Sequence, residues 1–171
     1  ISQFMNGFKL PYLHEADRCQ VPSWVSETIW YQIFPERFAR GKKNTNKQEY
    51  RDWNPDLAPT TSDFFGGDLA GITEHLDYLQ DLGITGLYLC PIFIAPSNHK
   101  YDTSDYYQID PQFGTTDDLK ELIKEAHNRG IKVMLDAVFN HIGYQSKQWQ
   151  HVLTNGEQSV YRDWVHIHRF P

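Results

Sequence analysis

The sequence predicts an α/β fold built on a parallel sheet, and three observations carry that expectation. Residues 131–141 open after Gly130 as an apolar run broken early only by Lys132, and they end in Asp136, Asn140 and His141. Such a run reads as a buried parallel strand rather than a half-exposed one. Leu69, Ile72, Leu76, Leu79 and Leu82 are spaced by three, four, three and three, which places them on one face of a helix that packs on a sheet. The elements alternate as strand, helix, strand, helix, strand, with no internal repeat, and that order belongs to parallel strands joined by crossover helices.

Taken in order, residues 1–27 have no sustained period and include Pro11 and Pro22, so they read as an arm or linker. The first strand is predicted over 28–34, where Ile29, Trp30, Tyr31 and Phe34 supply β-branched and aromatic side chains and Pro35 ends it. Glu36 and Arg37 follow at its carboxyl end, with a surface ion pair and a ligand role both open. Residues 41–63 form a polar loop longer than a strand-to-helix connection needs. Gly66-Gly67-Asp68 opens the first helix with Asp68 as N-cap, and Gly83 suits its stop. The second strand is predicted over 84–89, ended by Pro91. The loop over 92–113 then carries a dense set of hydrogen-bonding and aromatic residues between Ser97 and Tyr107. The second helix starts near Thr115, carries Asp117 and Asp118 in its first turn, and buries Leu119, Leu122, Ile123 and Ala126.

Composition narrows the function. A net charge of -6 without a clustered basic face argues against nucleic acid. No apolar stretch reaches the length that spans a bilayer, so no membrane partner is expected, and no export signal is evident. Cys19 and Cys90 give neither a disulfide framework nor metal-ligand spacing, and Cys90 reads as a small buried apolar residue. His166-Ile167-His168 has a metal-like spacing but no cysteine or third ligand nearby. Aromatics make up 15% of the chain and fall in loops as well as in elements. Ring faces with polar edges suit sugars.

Right-handed crossovers bring the loops after successive parallel strands out on one face of the sheet. His99 and Tyr101, after the second strand, are therefore expected to meet Asp136 and His141 after the third. Asp136 alone reads equally as a buried acid held by neighbouring donors.

These residues carry a resemblance. Asp136-Ala137-Val138-Phe139-Asn140-His141 resembles the first conserved region of the α-amylase family of glycoside hydrolases. Tyr31-Gln32-Ile33-Phe34-Pro35-Glu36-Arg37-Phe38, Phe64-Phe65-Gly66-Gly67-Asp68-Leu69 and His99-Lys100-Tyr101-Asp102-Thr103-Ser104-Asp105-Tyr106 resemble its neopullulanase, cyclomaltodextrinase and maltogenic amylase branch. The resemblance covers residues 21–171. It implies the front portion of a (β/α)8 TIM barrel, about three strands and two helices, followed by the start of an inserted domain. Residues 1–27 would be the tail of a preceding domain and linker, 28–141 the first part of the barrel, and 142–171 the start of a small domain inserted after the third strand.

The resemblance also implies roles. Tyr101 would stack on the sugar at the cleavage subsite, His99 and His141 would hydrogen-bond sugar hydroxyls there, and Asp136 would hold an active-site arginine, with Asn140 as a further supporting residue. A retaining glycosidase needs a carboxylate nucleophile and a carboxylic acid about 5 Å apart. The family supplies both from later strands, so the chain is expected to be a fragment, inactive alone, of an intracellular α-glucan hydrolase. Its substrates would be cyclodextrins, pullulan or maltooligosaccharides, and the whole protein is expected as a homodimer. That chemistry requires no cofactor. Members of the branch bind calcium beside the Gly-Gly-Asp turn, which makes Asn44, Asn46, Gly66 and Asp68 candidate ligands. Lys42 and Lys43 stand where an acidic ligand is usual, so a weak or lost site is expected. A second reading is a non-catalytic sugar-binding or scaffold protein on the same barrel front. A third, an unrelated α/β binding module, lacks its usual signature, because Gly66-Gly67 is not followed by the remaining residues of a phosphate loop.

Overall fold

The structure is a computed structural model and describes residues 20–42, 44 and 49–168. Most of the arm, together with Cys19, Lys43 and Asn46, lies outside the described residues. The elements begin with α1 (Ser23–Ser26), β1 (Trp30–Ile33), α2 (Pro35–Phe38), α3 (Leu69–Glu74) and α4 (Leu76–Asp81). They continue with β2 (Gly86–Leu89), β3 (Phe93–Ile94), β4 (Asp105–Ile109), α5 (Thr116–Asn128), β5 (Lys132–Leu135) and α6 (Lys147–Asn155). Single 3-10 turns follow at Gly156–Gln158 and Arg162–Trp164.

β1, β2 and β5 form one parallel sheet in that spatial order. Tyr31 lies opposite Leu87, and Leu87 opposite Val133. The expected parallel neighbours with a shared carboxyl end are therefore observed. Ile33, Leu87 and Leu89 from the sheet pack with Leu69, Ile72, Leu76 and Leu79 from the first helical segment and with Leu122 and Ala126 of α5, all essentially without exposed surface. Each such side chain stabilises the fold by about 1.5–3 kcal/mol on burial. Asp68 caps α3 by accepting from Gly71 N at 2.6 Å, and Thr115 with Asp118 forms a reciprocal capping box on α5.

Several expectations are corrected. The helix over 69–82 is two pieces that meet at His75, whose φ of -107° leaves the helical range. Its ring Nδ1 lies 2.8 Å from Gly71 O, and the ring packs edge-on against Phe38. Leu82 follows the end of α4 and is 53% exposed, so it leaves the packed face. Within the described residues β5 has a hydrogen-bonded neighbour on one side only, so its burial alternates and Met134 is 44% exposed; in a closed barrel that side takes the next strand. The loop over 92–113 contains an antiparallel pair, β3 with β4, irregular between Phe93 and Ile94. Pro35 ends β1 and at once opens α2, where its missing N–H costs nothing. The Glu36–Arg37 pair forms at 2.7 Å, but Glu36 is completely buried, so it is not a surface ion pair.

Candidate functional site

Beyond the carboxyl ends of β2 and β5 the sheet register brings four predicted residues together. Asp136 N donates to Leu89 O at 2.9 Å, so the acid extends β5 alongside the end of β2. The hydroxyls of Tyr88 and Tyr101 both donate to Asp136 Oδ2, at 2.5 and 2.7 Å. The Asp136 carboxylate, and then burial, push the Tyr88 phenol above its ordinary range. For Tyr101 burial comes first and the hydrogen bond to Asp136 second. In both, ionisation would set a phenolate against a carboxylate.

His99 and Tyr101 have rings 6.0 Å apart and tilted by 32°. Tyr101 N lies 3.1 Å from His99 Nδ1. A backbone N–H only donates, so Nδ1 accepts and Nε2 carries the proton of the neutral ring. His99 therefore presents an N–H at its far edge, the group that a sugar oxygen needs. His141 is oriented by the same logic. Its Nε2 lies 2.8 Å from Tyr101 O and must donate, while Asn140 Nδ2 approaches its Nδ1 at 3.5 Å. His141 thus braces the backbone of Tyr101 and keeps Nδ1 as its acceptor, held only by the long approach of Asn140.

Two residues that the sequence did not single out complete the arrangement. Tyr88 is a hydroxyl in an otherwise apolar strand, and that need for a partner was the available signal. The Tyr106 hydroxyl lies 2.6 Å from Val138 O and 2.9 Å from His141 O, so it ties β4 to the turn carrying Asn140 and His141. Gly143 closes this turn against the neighbouring loop. Its N–H donates to Thr103 O at 2.7 Å, and a Cβ there would fall 2.1 Å from Asp102 O. Gln32, Phe34, Cys90, His99 and Tyr101 line an open cavity of about 320 Å³. A second cavity, of about 510 Å³, runs from Tyr106, Phe139 and His141 to Trp149, Tyr161 and Trp164. The first has room for a sugar ring beside Tyr101 and His99. The second has an aromatic wall of its own.

The candidate calcium ligands also converge, but onto each other. Asn44 Nδ2 donates to Gly66 O at 3.2 Å and to Asp68 Oδ2 at 2.7 Å, while Asp68 Oδ1 accepts from Gly41 N and Gly71 N. One carboxylate, one amide and one carbonyl fall short of the roughly six to eight oxygens that calcium takes. Among the described residues no three His, Cys, Asp or Glu side chains gather as a metal site. The described ligands do not by themselves make a calcium shell, and Asn46 lies outside the described residues. His166 and His168 belong to no such cluster either.

Comparison with known proteins gives the family. The family described as the α-amylase catalytic domain matches residues 32–170. An intracellular maltogenic amylase of Bacillus subtilis is 57% identical over 164 residues, covering 96% of this chain and 28% of the relative. A cyclomaltodextrinase of Geobacillus thermopakistaniensis is 58% identical over the same shares. Among solved structures, a cyclic α-maltosyl-(1→6)-maltose hydrolase from Arthrobacter globiformis superposes with a TM-score of 0.82 at 42% identity, covering 90% of this chain and 34% of that one. The chain spans about 28% of the length of the curated relatives it matches.

Proposed function

We propose that this chain, which belongs to the α-amylase catalytic-domain family and forms the front of its (β/α)8 barrel, positions an α-glucan ring for hydrolysis. The observation that carries the proposal is the meeting of His99 and His141 around Tyr101, whose phenol is held by Asp136, at the carboxyl ends of β2 and β5. In a barrel of this kind chemistry belongs at that end. The Tyr101 face takes the apolar face of the sugar, and the Nε2–H of His99 donates to a hydroxyl. The Nδ1 of His141, which Asn140 approaches only at 3.5 Å, accepts from another hydroxyl. Asp136 holds the Tyr101 phenol in place and keeps acceptor capacity for a cationic side chain.

The reaction is retaining hydrolysis of an α-glucosidic bond. A carboxylate attacks the anomeric carbon as an acid protonates the departing oxygen, and water then releases the sugar from the enzyme. Neither carboxyl role is assigned within these residues. Cyclodextrins, pullulan and maltooligosaccharides are the proposed substrates, in line with the maltogenic amylase and cyclomaltodextrinase names of the relatives. An intracellular location follows the first of those names, and no helix among the described residues is long and apolar enough to cross a membrane. Within this reading residues 1–27 link to a preceding domain and 142–171 begin a small inserted one, and the whole protein is a homodimer.

The test is to incubate the polypeptide carrying this chain with β-cyclodextrin, pullulan and maltoheptaose and to follow the products by proton NMR. New reducing ends released as the α-anomer support the proposal. Binding without cleavage would favour a non-catalytic sugar-binding protein instead.

A further inference from the structure

Lys100 is the one non-glycine residue with a positive φ among the described residues, at +60°. It lies between the two rings of the candidate site. A left-handed conformation at a long side chain is uncommon and persists only where the surroundings over-determine it. Here they do. The Lys100 side chain turns away from the site into the protein, where the residue is 2% exposed. Its Nζ donates to Ala95 O at 3.0 Å and pairs with Asp110 Oδ2 at 2.8 Å, and it lies 5.5 Å from the centre of the Phe113 ring.

Asp110 is fixed in turn. Its Oδ2 accepts from Ala95 N at 3.3 Å and its Oδ1 from Gln112 N at 2.9 Å, and its backbone joins Ile92 and Phe113. The ammonium therefore ties the loop that carries His99 and Tyr101 to the two ends of the β3–β4 pair. On the site side, Lys100 N donates to Ser97 Oγ at 3.0 Å and Lys100 O accepts from Thr103 Oγ1 at 2.9 Å. The reversal at Lys100 lets His99 and Tyr101 face one cavity while the residue between them points inward.

We propose that Lys100 is a positioning residue for the reaction: its ammonium, clamped by Asp110 and Ala95 O in the interior, sets the relative placement of His99 and Tyr101 and hence the fit of the sugar ring. The inference rests on the sugar-positioning reading above. It predicts an effect that passes through the two rings, which a purely structural lysine would not have. Misplacing positioning groups by about 1 Å costs catalysis up to about 100-fold.

The experiment uses the polypeptide carrying this chain, assayed on maltoheptaose well below its melting temperature. Lys100→Met is expected to lower kcat/KM by about 10-fold to 100-fold in the wild-type background. In a His99→Ala/Tyr101→Ala background the same change should cost less than about 2-fold, because the groups it places are already gone. If Lys100→Met does not fold, Lys100→Met/Asp110→Asn removes both charges, leaves no uncompensated ion in the core, and carries the same comparison. Full activity of either variant overturns the proposal, as does an equal loss in both backgrounds. The underlying reading fails separately, through Tyr101→Ala retaining wild-type kinetics.

Discussion

Glu36 and Asp136 are acids at the carboxyl ends of two strands of one sheet, and they are held in opposite ways. Glu36 has no exposed surface. Its Oε1 accepts from the backbone N–H groups of Phe65 and Gly66, and its Oε2 pairs with Arg37, whose guanidinium lies 4.6 Å from the centre of the Phe65 ring. Asp136 is half-buried, and its side-chain partners are two phenols that both fall on Oδ2. Among the described residues no hydrogen bond reaches its Oδ1. Backbone partners cannot swing away, whereas phenols can rotate or exchange for a ligand. The first acid belongs to the scaffold and the second to the site.

The largest expected effect comes from breaking the scaffold acid. Glu36→Ala leaves Arg37 without its carboxylate partner and two buried N–H groups unsatisfied, and it should cost about 3–5 kcal/mol of stability in denaturant melts. Asp136→Asn keeps an acceptor for both phenols and should cost only about 1 kcal/mol, while lowering turnover far more. Equal stability losses at the two positions would erase the distinction between them. Next in size is Gly143→Ala. With a Cβ 2.1 Å from Asp102 O, the turn carrying Asn140 and His141 must shift away from the Tyr101 loop, at a cost of about 1–3 kcal/mol and with weakened sugar binding by calorimetry. Tyr88→Phe, which removes one of the two phenols, should cost about 1 kcal/mol and change kcat/KM only a few-fold.

The smallest effect is a titration. Among the described residues Tyr50, Tyr88, Tyr101 and Tyr106 have phenols raised above the ordinary value near 10. A raised phenol stabilises the fold fully below about pH 10, and that contribution is lost as pH rises through the higher folded value. Phenolate absorbance should therefore show a late-ionising group. In Asp136→Asn, Tyr88 and Tyr101 should both move back, because the Asp136 hydrogen bond is the first cause at Tyr88 and the second, after burial, at Tyr101, while Tyr50 and Tyr106, raised first by burial, should stay. No change in the late group would place the Asp136 contacts outside solution behaviour.

The parallel order of the sheet was legible because apolar runs and helical spacing report burial locally. His99, Tyr101, Asp136 and His141 were legible as neighbours because topology alone sends strand ends to one side. The break at His75 was hidden, since its cause is a ring hydrogen bond and the packing of Phe38 rather than any helix-breaking residue. Lys100 reads in the sequence as an ordinary polar loop residue. Its inward turn depends on Asp110, ten positions away, and no local pattern announces that pair.

The most direct test of the account is where a glucan lies when bound. A crystal structure of the polypeptide carrying this chain, soaked with maltotetraose, should place one glucosyl ring in stacking contact with Tyr101, with a hydroxyl within hydrogen-bonding distance of His99 Nε2. Sugar bound only elsewhere, for example against Trp164 with the Tyr101 face left bare, would contradict it.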